Sequence, residues 1–153
     1  MKGNAARIRV TKIFSFEMAH ALHGYDGPCK NIHGHSYELS VTVIGNIKTD
    51  IKDPKYGMVV DFTDLKKIIK EEIIDEHDHA LALNRNSPHK KLKHRNMPFG
   101  KIVLTNFQPT CENLLLDFAS KIKNNLPNDI SLHHLKLKET STSFAEWYAE
   151  DNN

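Results

Sequence analysis

From Ile8 to His20 apolar and polar side chains alternate: Ile8, Val10, Phe14, Phe16 and Met18 share one face, and Ser15 and Glu17 lie opposite. A period of two predicts a half-buried β-strand whose apolar face ends in His20. After a Gly-, Asp- and Pro-rich loop at 24–28, His35 to Ile44 alternates again, with Tyr37, Leu39, Val41 and Val43 against Glu38, Ser40 and Thr42. Gly45-Asn46 predicts the end of this second strand. The period then changes. From Asp61 to about Asp75, Leu65, Ile68, Ile69 and Ile73 recur at helical spacing, with Asp61 as N-cap. A second helix opens at Pro109-Thr110, with Thr110 as N-cap and Leu114, Leu115, Phe118 and Ile122 as its apolar stripe, and stops near Asn124–Pro127. Leu132 to Glu139 returns to a period of two, and Ser143 to Tyr148 supplies a last strand. The predicted order is ββααββ, which implies an α+β fold with an antiparallel sheet.

Composition narrows the functional classes. The 153 residues suit one domain, 1–153, able to bury roughly 68–70% of its unfolded surface without disulfide staples. Apolar residues at 39% and charged residues at 26% are those of a soluble globular protein. No run approaches the roughly 20 apolar residues of a membrane span. Met1 to Arg7 contains no apolar core of a secretory signal, so a cytoplasmic location is expected. The two cysteines, Cys29 and Cys111, lie far apart, and reduced thiols are expected. A net charge of +2 is well short of a nucleic-acid footprint, whereas ten histidines are unusual.

Two of those histidines stand in "PCKNIHGHSYEL", residues 28–39. On an extended chain residues two apart point the same way, so His33 and His35 project together at the start of the second strand. His20 closes the inward face of the first strand, and antiparallel pairing would bring it beside them. Three neutral imidazoles with an open position suit a catalytic zinc, because structural zinc is closed by four protein ligands and usually recruits thiolates. Cys29 could be the fourth ligand; the plain alternative for His-Gly-His is a turn with two solvated histidines. Cys29 lies in a loop before Lys30 and close to the presumed metal, and both would favour its thiolate. Cys111, in the first turn of an amphipathic helix, reads as a packed thiol.

A second polar cluster, "DEHDHALALN", follows the first helix. Its histidines could be a frayed, solvated helix end or, through His77 and His79, another H-x-H site. The Asp78-His79 pair has a sharper meaning, since a carboxylate that orients an imidazole poises it for proton transfer near neutral pH. Glu139, in "LKLKETSTS", shares by alternation the face of His133, Leu135 and Leu137. A carboxylate ending a strand on its apolar side could accept two hydrogen bonds from an amidine-like edge such as that of a pterin or guanine. Taken alone, it is a strand-terminal surface glutamate.

Together, "FEMAH", "CKNIHGHSYELSVTVIG", "GMVVDFTDLK", "DHALALN", "PTCENLL" and "LKLKETSTS" resemble, in order and spacing, the 6-pyruvoyltetrahydropterin synthase / 6-carboxytetrahydropterin synthase family from about Ile8 to Trp147. The resemblance implies a tunnelling fold, a four-stranded antiparallel sheet with two helices on one face, assembled into a hexamer (a dimer of trimers) with active sites between subunits. It implies His20, His33 and His35 as zinc ligands, Cys29 as proton-abstracting thiolate, Asp78 and His79 as proton relay, and Glu139 as a pterin anchor within the catalytic set. Thr110 and Glu112 would help bind the pterin. The implied substrate is 7,8-dihydroneopterin triphosphate, which loses triphosphate.

The family divides by product. The bacterial 6-carboxy type of queuosine synthesis also releases acetaldehyde, and the 6-pyruvoyl type of biopterin synthesis stops at triphosphate elimination. Three residues separate Cys29 from His33, the spacing of the 6-carboxy type, whereas the animal 6-pyruvoyl type has a longer gap. A third subtype carries glutamate in place of the cysteine, which Cys29 argues against. A zinc- and pterin-binding protein without turnover would leave Cys29, Asp78, His79 and Glu139 unexplained. Between Asn84 and Leu104 the chain departs from the compact bacterial pattern in a basic segment, Arg85, Lys90, Lys91, Lys93 and Arg95. A solvated loop is the ordinary reading of such a run; the other is that it helps hold the triphosphate.

Overall fold

The computed structural model describes residues 6–94 and 100–152. In chain order its elements are β1 (Arg7–Ala21), β2 (His33–Asn46), α1 (Phe62–Ile69), α2 (Asp75–His77), β3 (Ala80–Asn84), β4 (Ile102–Thr105), α3 (Cys111–Asn125), β5 (Ile130–Lys138) and β6 (Phe144–Tyr148). Short 3-10 turns span Pro28–Lys30, Pro88–His94 and Ala149–Asn152. β1 and β2 pair antiparallel from Arg7↔Asn46 to His20↔His33. β2 ends at Gly45-Asn46, as expected, and Gly45 still pairs with Ile8 and Ile130. A Cβ there would come within 2.9 Å of Ile130 Cγ2 and 3.1 Å of Val59 Cγ1, so glycine permits the close approach of β5.

The α+β class stands, but the sheet is six-stranded and mixed, in the order β4-β3-β1-β2-β5-β6. β3 runs parallel to β1, and β4 parallel to β3. These two strands correct the expected four-stranded antiparallel sheet. Ala80 to Leu83 is buried at every position, so it carries no alternation for a period of two to reveal. β4 has only four residues. A second correction concerns β5. Its register against β2 shifts between Thr42 and Val43, pairing Thr42 with His134 and Val43 with Leu132. His133 is the extra residue of this bulge and leaves the face that Leu135 and Leu137 share, while Leu132 joins the core.

One face of the sheet is covered by the helices. Phe16, Met18, Tyr37, Leu39, Val41 and Val43 meet Leu65, Ile69 and Ile73 on one side and Leu114, Phe118 and Ile122 of α3 on the other. Asp61 caps α1, its Oδ1 accepting from Thr63 N at 2.8 Å. Leu65, Ile69, Ile73 and His77 are all buried, in a strict repeat of four. On an α-helix such a repeat drifts about 40° per step. The π-helical turn at Lys70–Ile74, with more residues per turn, takes that drift back and keeps all four inward.

His77 is thus enclosed. Its Nδ1–H donates to Ile73 O at 2.8 Å and its ring packs edge-on against Phe118 at 5.0 Å. Burial lowers its pKa below the ordinary 6.5, against the opposing pull of the Ile73 bond. Because the unfolded chain takes up this proton first, the stability His77 contributes is intact above pH 6.5 and falls as pH drops toward its lower folded value. The loss is at most about 1.4 kcal/mol per pH unit for one proton. In denaturant titrations of metal-free protein, the fall in unfolding free energy below pH 6.5 should be shallower for His77→Gln than for wild type; identical slopes would show that His77 does not carry it.

Candidate active site

At the closed end of the β1–β2 ladder the inward residues change from apolar to imidazole. His20 faces His33 directly, and Met18 faces His35. The ring centroids are 4.5 Å apart for His20–His33, 5.2 Å for His20–His35 and 5.0 Å for His33–His35. One nitrogen from each ring lies within 4.8 Å of the other two, and the three could hold a metal ion.

Two backbone carbonyls fix the protons. His20 Nδ1–H donates to Pro109 O at 2.7 Å, and His33 Nδ1–H donates to Asn31 O at 2.8 Å. A carbonyl only accepts, so both rings carry a proton on Nδ1, and in the neutral form that leaves the lone pair on Nε2. These two Nε2 atoms are 3.0 Å apart. Facing lone pairs repel at that distance unless a cation lies between them. Two ligands at about 2.0–2.1 Å from one tetrahedral ion would sit only a few tenths of an ångström further apart. Burial, first, and the neighbouring imidazoles lower the pKa of His20, partly offset by the Pro109 bond and Glu139. Its ring is held neutral, the form a metal takes.

Glu139 stands at the rim of this cluster. It follows β5 in a tight turn in which Glu139 N and Thr140 N both donate to Ser143 O. Its Oε1 accepts from the Tyr37 hydroxyl at 3.1 Å and lies 3.7 Å from His20 Nε2 and 3.6 Å from His35 Nε2. Tyr37 is buried, and its pKa is driven far above the ordinary phenol value by burial and then by Glu139, so it stays a donor. The alternation of β2 marks Tyr37 only as an apolar position. Its placement two residues after His35 on the same face was the available signal.

Cys29 occupies the 3-10 turn between β1 and β2 and is half-buried. Leu22 N donates to Cys29 O at 2.9 Å, which pins the loop to the end of β1 beside His20. Cys111 is buried under β5. Its thiol donates to Leu137 O at 3.2 Å and is pushed up to about 12 by burial and then by Glu139, so it remains protonated.

Asp78 and His79 pair with each other but stand apart from the imidazoles. His79 Nδ1 is 3.0 Å from Asp78 Oδ1, and the His79 side chain is 77% exposed. Asp78 Oδ1 also accepts from Glu17 N at 2.9 Å, the leading cause of its lowered pKa. His79 N donates to Glu17 O, and His79 takes a positive φ of 59° to turn from α2 into β3. Glu17 lies between the buried Phe16 and Met18, so its side chain, which accepts from Ser36, is on the sheet face opposite His20. No hydrogen bond or ion pair among the described residues joins the dyad to the three histidines.

Thr110 caps α3 by accepting from Asn113 N at 3.3 Å, immediately after the carbonyl that orients His20. Glu112 is exposed and lines a hollow with Leu115, Trp147 and Asp151, on the flank of α3 that faces β6. No hydrogen bond or ion pair among the described residues joins it to the imidazoles. Arg85, Lys90, Lys91 and Lys93 are exposed, and Arg95 lies outside the described residues.

Residues 9–150 match the family model for 6-pyruvoyl tetrahydropterin synthase. The chain is 34% identical over 145 residues to 6-carboxy-5,6,7,8-tetrahydropterin synthase of Haemophilus influenzae, covering 91% of this chain and 97% of the relative. It is 31% identical to the protein of the same name from Rickettsia felis, covering 91% and 99%. The solved structure of Caenorhabditis elegans 6-pyruvoyl tetrahydropterin synthase superposes with a TM-score of 0.65 at 24% identity, over 95% of this chain and 97% of that one. The tunnelling fold is common to both.

Titration with a divalent metal against a chromophoric chelator should give one tight equivalent per chain. His20→Ala or His33→Ala should remove it, whereas His134→Ala, at the other end of the sheet, should not. Equal retention in all three variants would contradict a centre built on these nitrogens.

Proposed function

The chain belongs to the 6-pyruvoyl tetrahydropterin synthase family, and on that premise we propose that it is a zinc-dependent 6-carboxy-5,6,7,8-tetrahydropterin synthase. It converts 7,8-dihydroneopterin triphosphate and one water to carboxytetrahydropterin, acetaldehyde and triphosphate, in the cytoplasm and in the pathway to queuosine. The observation that carries this reading is the convergence of three imidazoles with a carboxylate beside them. The three-residue gap between Cys29 and His33 and the names of the two bacterial relatives favour the carboxy product.

Each group then has one task. His20, His33 and His35 hold zinc, which when bound polarises side-chain hydroxyls of the substrate and acidifies the adjoining C–H. Cys29, in a loop rather than on a strand, takes that proton at Sγ as thiolate. Glu139 has Oε1 engaged by Tyr37, which leaves Oε2 and the remaining lone pairs for the 2-amino and ring N–H of the pterin. Asp78 orients His79, which returns a proton to the substrate. The dyad's exposure and its distance from the imidazoles favour its supply by a neighbouring copy, in a hexamer built as a dimer of trimers with intersubunit sites. Glu112 would reach the pterin in the same way, and Thr110 from the turn that also holds His20.

Zinc-loaded protein incubated with 7,8-dihydroneopterin triphosphate should yield carboxytetrahydropterin and acetaldehyde by mass spectrometry. A pyruvoyl product would replace this reading with the 6-pyruvoyl activity, and unchanged substrate would contradict both. Cys29→Ala should bind zinc as wild type does and lose turnover by about 10²–10⁴-fold, the usual range for a positioned proton-transfer group; undiminished turnover would remove Cys29 from the mechanism.

A further inference from the structure

Charge is unevenly distributed along the chain. Between Asp78 and Glu112 there is no aspartate or glutamate, yet Arg85, Lys90, Lys91, Lys93, Arg95 and Lys101 all fall there. Since the whole chain carries only +2, the remainder is net acidic. Arg85, Lys90, Lys91 and Lys93 are exposed, and none forms an ion pair with a carboxylate among the described residues.

The fold places this cationic band where β1 leads into the Cys29 loop, on the sheet face of Ala21 and of the Asp78–His79 dyad rather than that of His20. The 3-10 turn Pro88–His94 is anchored by Leu92, which packs on Ala21, Leu83 and Ile102, and by Ser87 Oγ, which accepts from His89 N at 3.1 Å. Anchored in this way, the turn leaves Lys90, Lys91 and Lys93 in solvent. The His89 ring stands edge-on to His23 at 5.6 Å, and Gln108 Nε2–H donates to His23 O at 2.9 Å. His23 adjoins Leu22, whose N–H holds the carbonyl of Cys29. At the band's other end Lys101 Nζ donates to the carbonyl of Asp78. The arginine is braced as well, its guanidinium donating to Leu104 O at 3.3 Å.

We infer that Arg85, Lys90, Lys91 and Lys93 form a polyphosphate subsite that binds the triphosphate of the substrate and receives it as leaving group. This rests on the pterin triphosphate reading above. In the elimination, the C–H proton passes to the Cys29 thiolate, the C–H electron pair forms a C=C bond, the adjacent C–O bond breaks, and its electron pair stays on the triphosphate oxygen. Cations beside that oxygen neutralise the charge as it develops, which stabilises the transition state as well as the bound substrate. Lysines without an ion-pair partner among the described residues suit this task, because no described carboxylate competes with the phosphate.

The test measures inorganic triphosphate directly. Zinc-loaded wild type, a Lys90→Ala/Lys91→Ala/Lys93→Ala variant and a control Lys66→Ala/Lys67→Ala variant on α1 are titrated with triphosphate by calorimetry, at low and high salt, after thermal melts show equal folding. The metal is common to all three, so differences report the lysines. The band variant should bind triphosphate at least about tenfold more weakly, as loss of charge-assisted hydrogen bonds requires. It should show a smaller salt dependence and a KM for the pterin triphosphate raised to match, while the α1 variant is unchanged. Equal affinity in all three proteins, or an equal loss in both variants, overturns the subsite. If wild type turns over substrate and the band variant keeps its affinity, this inference fails and the enzyme reading stands. If triphosphate binds through the band and no pterin is turned over, the subsite stands and the enzyme reading fails.

Discussion

The pairing of His20 with His33 across β1 and β2 is the constraint on which the site depends. Side chains alternate strictly along a strand, so a slip of one residue would send His33 and His35 to the opposite face from His20. Phe16 stacked on Tyr37 at 5.2 Å, and the buried Met18, Leu39, Val41 and Val43, hold that register from below. A slip would expose this whole set to water, and truncating a single buried aromatic already costs about 3–5 kcal/mol. The apolar half of the ladder thereby fixes the geometry of the polar half.

Register alone would leave each imidazole free to choose its tautomer. The carbonyls of Pro109 and Asn31 remove that choice, one from the cap of α3 and one from the loop that carries Cys29. Chemistry at Nε2 is therefore tied to elements that otherwise only pack or turn. Tyr37 extends the same logic to Glu139, holding one oxygen and leaving the other available. Groups that move protons sit differently. Cys29 is on a loop and His79 is at an exposed turn, both outside the rigid ladder, as suits residues that must meet a substrate and a second chain.

Much of this was legible in the amino-acid order, for identifiable reasons. β1, β2, α1 and α3 are long and periodic, and Asp61 and Thr110 cap as their side-chain chemistry dictates. The convergence of His20, His33 and His35 followed from alternation and one antiparallel pairing. β3 was not visible because a strand buried on both faces loses the period of two, and β4 because four residues are too few to show one. The bulge at His133 was hidden because a phase reset leaves no mark in residue type. Tyr37 was read as apolar because its ring is buried, and the hydroxyl that matters lies at its tip. Asp78 and Glu112 could be ranked as candidates by type, but nothing in the order of residues told which side of the sheet or helix they would occupy.

A metal centre made by three imidazoles, and no thiolate, leaves Cys29 free to act on the substrate. X-ray absorption at the zinc edge of the zinc-loaded protein tests it most directly. The spectrum should show three imidazole nitrogens at about 2.0–2.1 Å, with oxygen completing the shell and no sulfur scattering. A sulfur at about 2.3 Å, or fewer than three imidazoles, would contradict it.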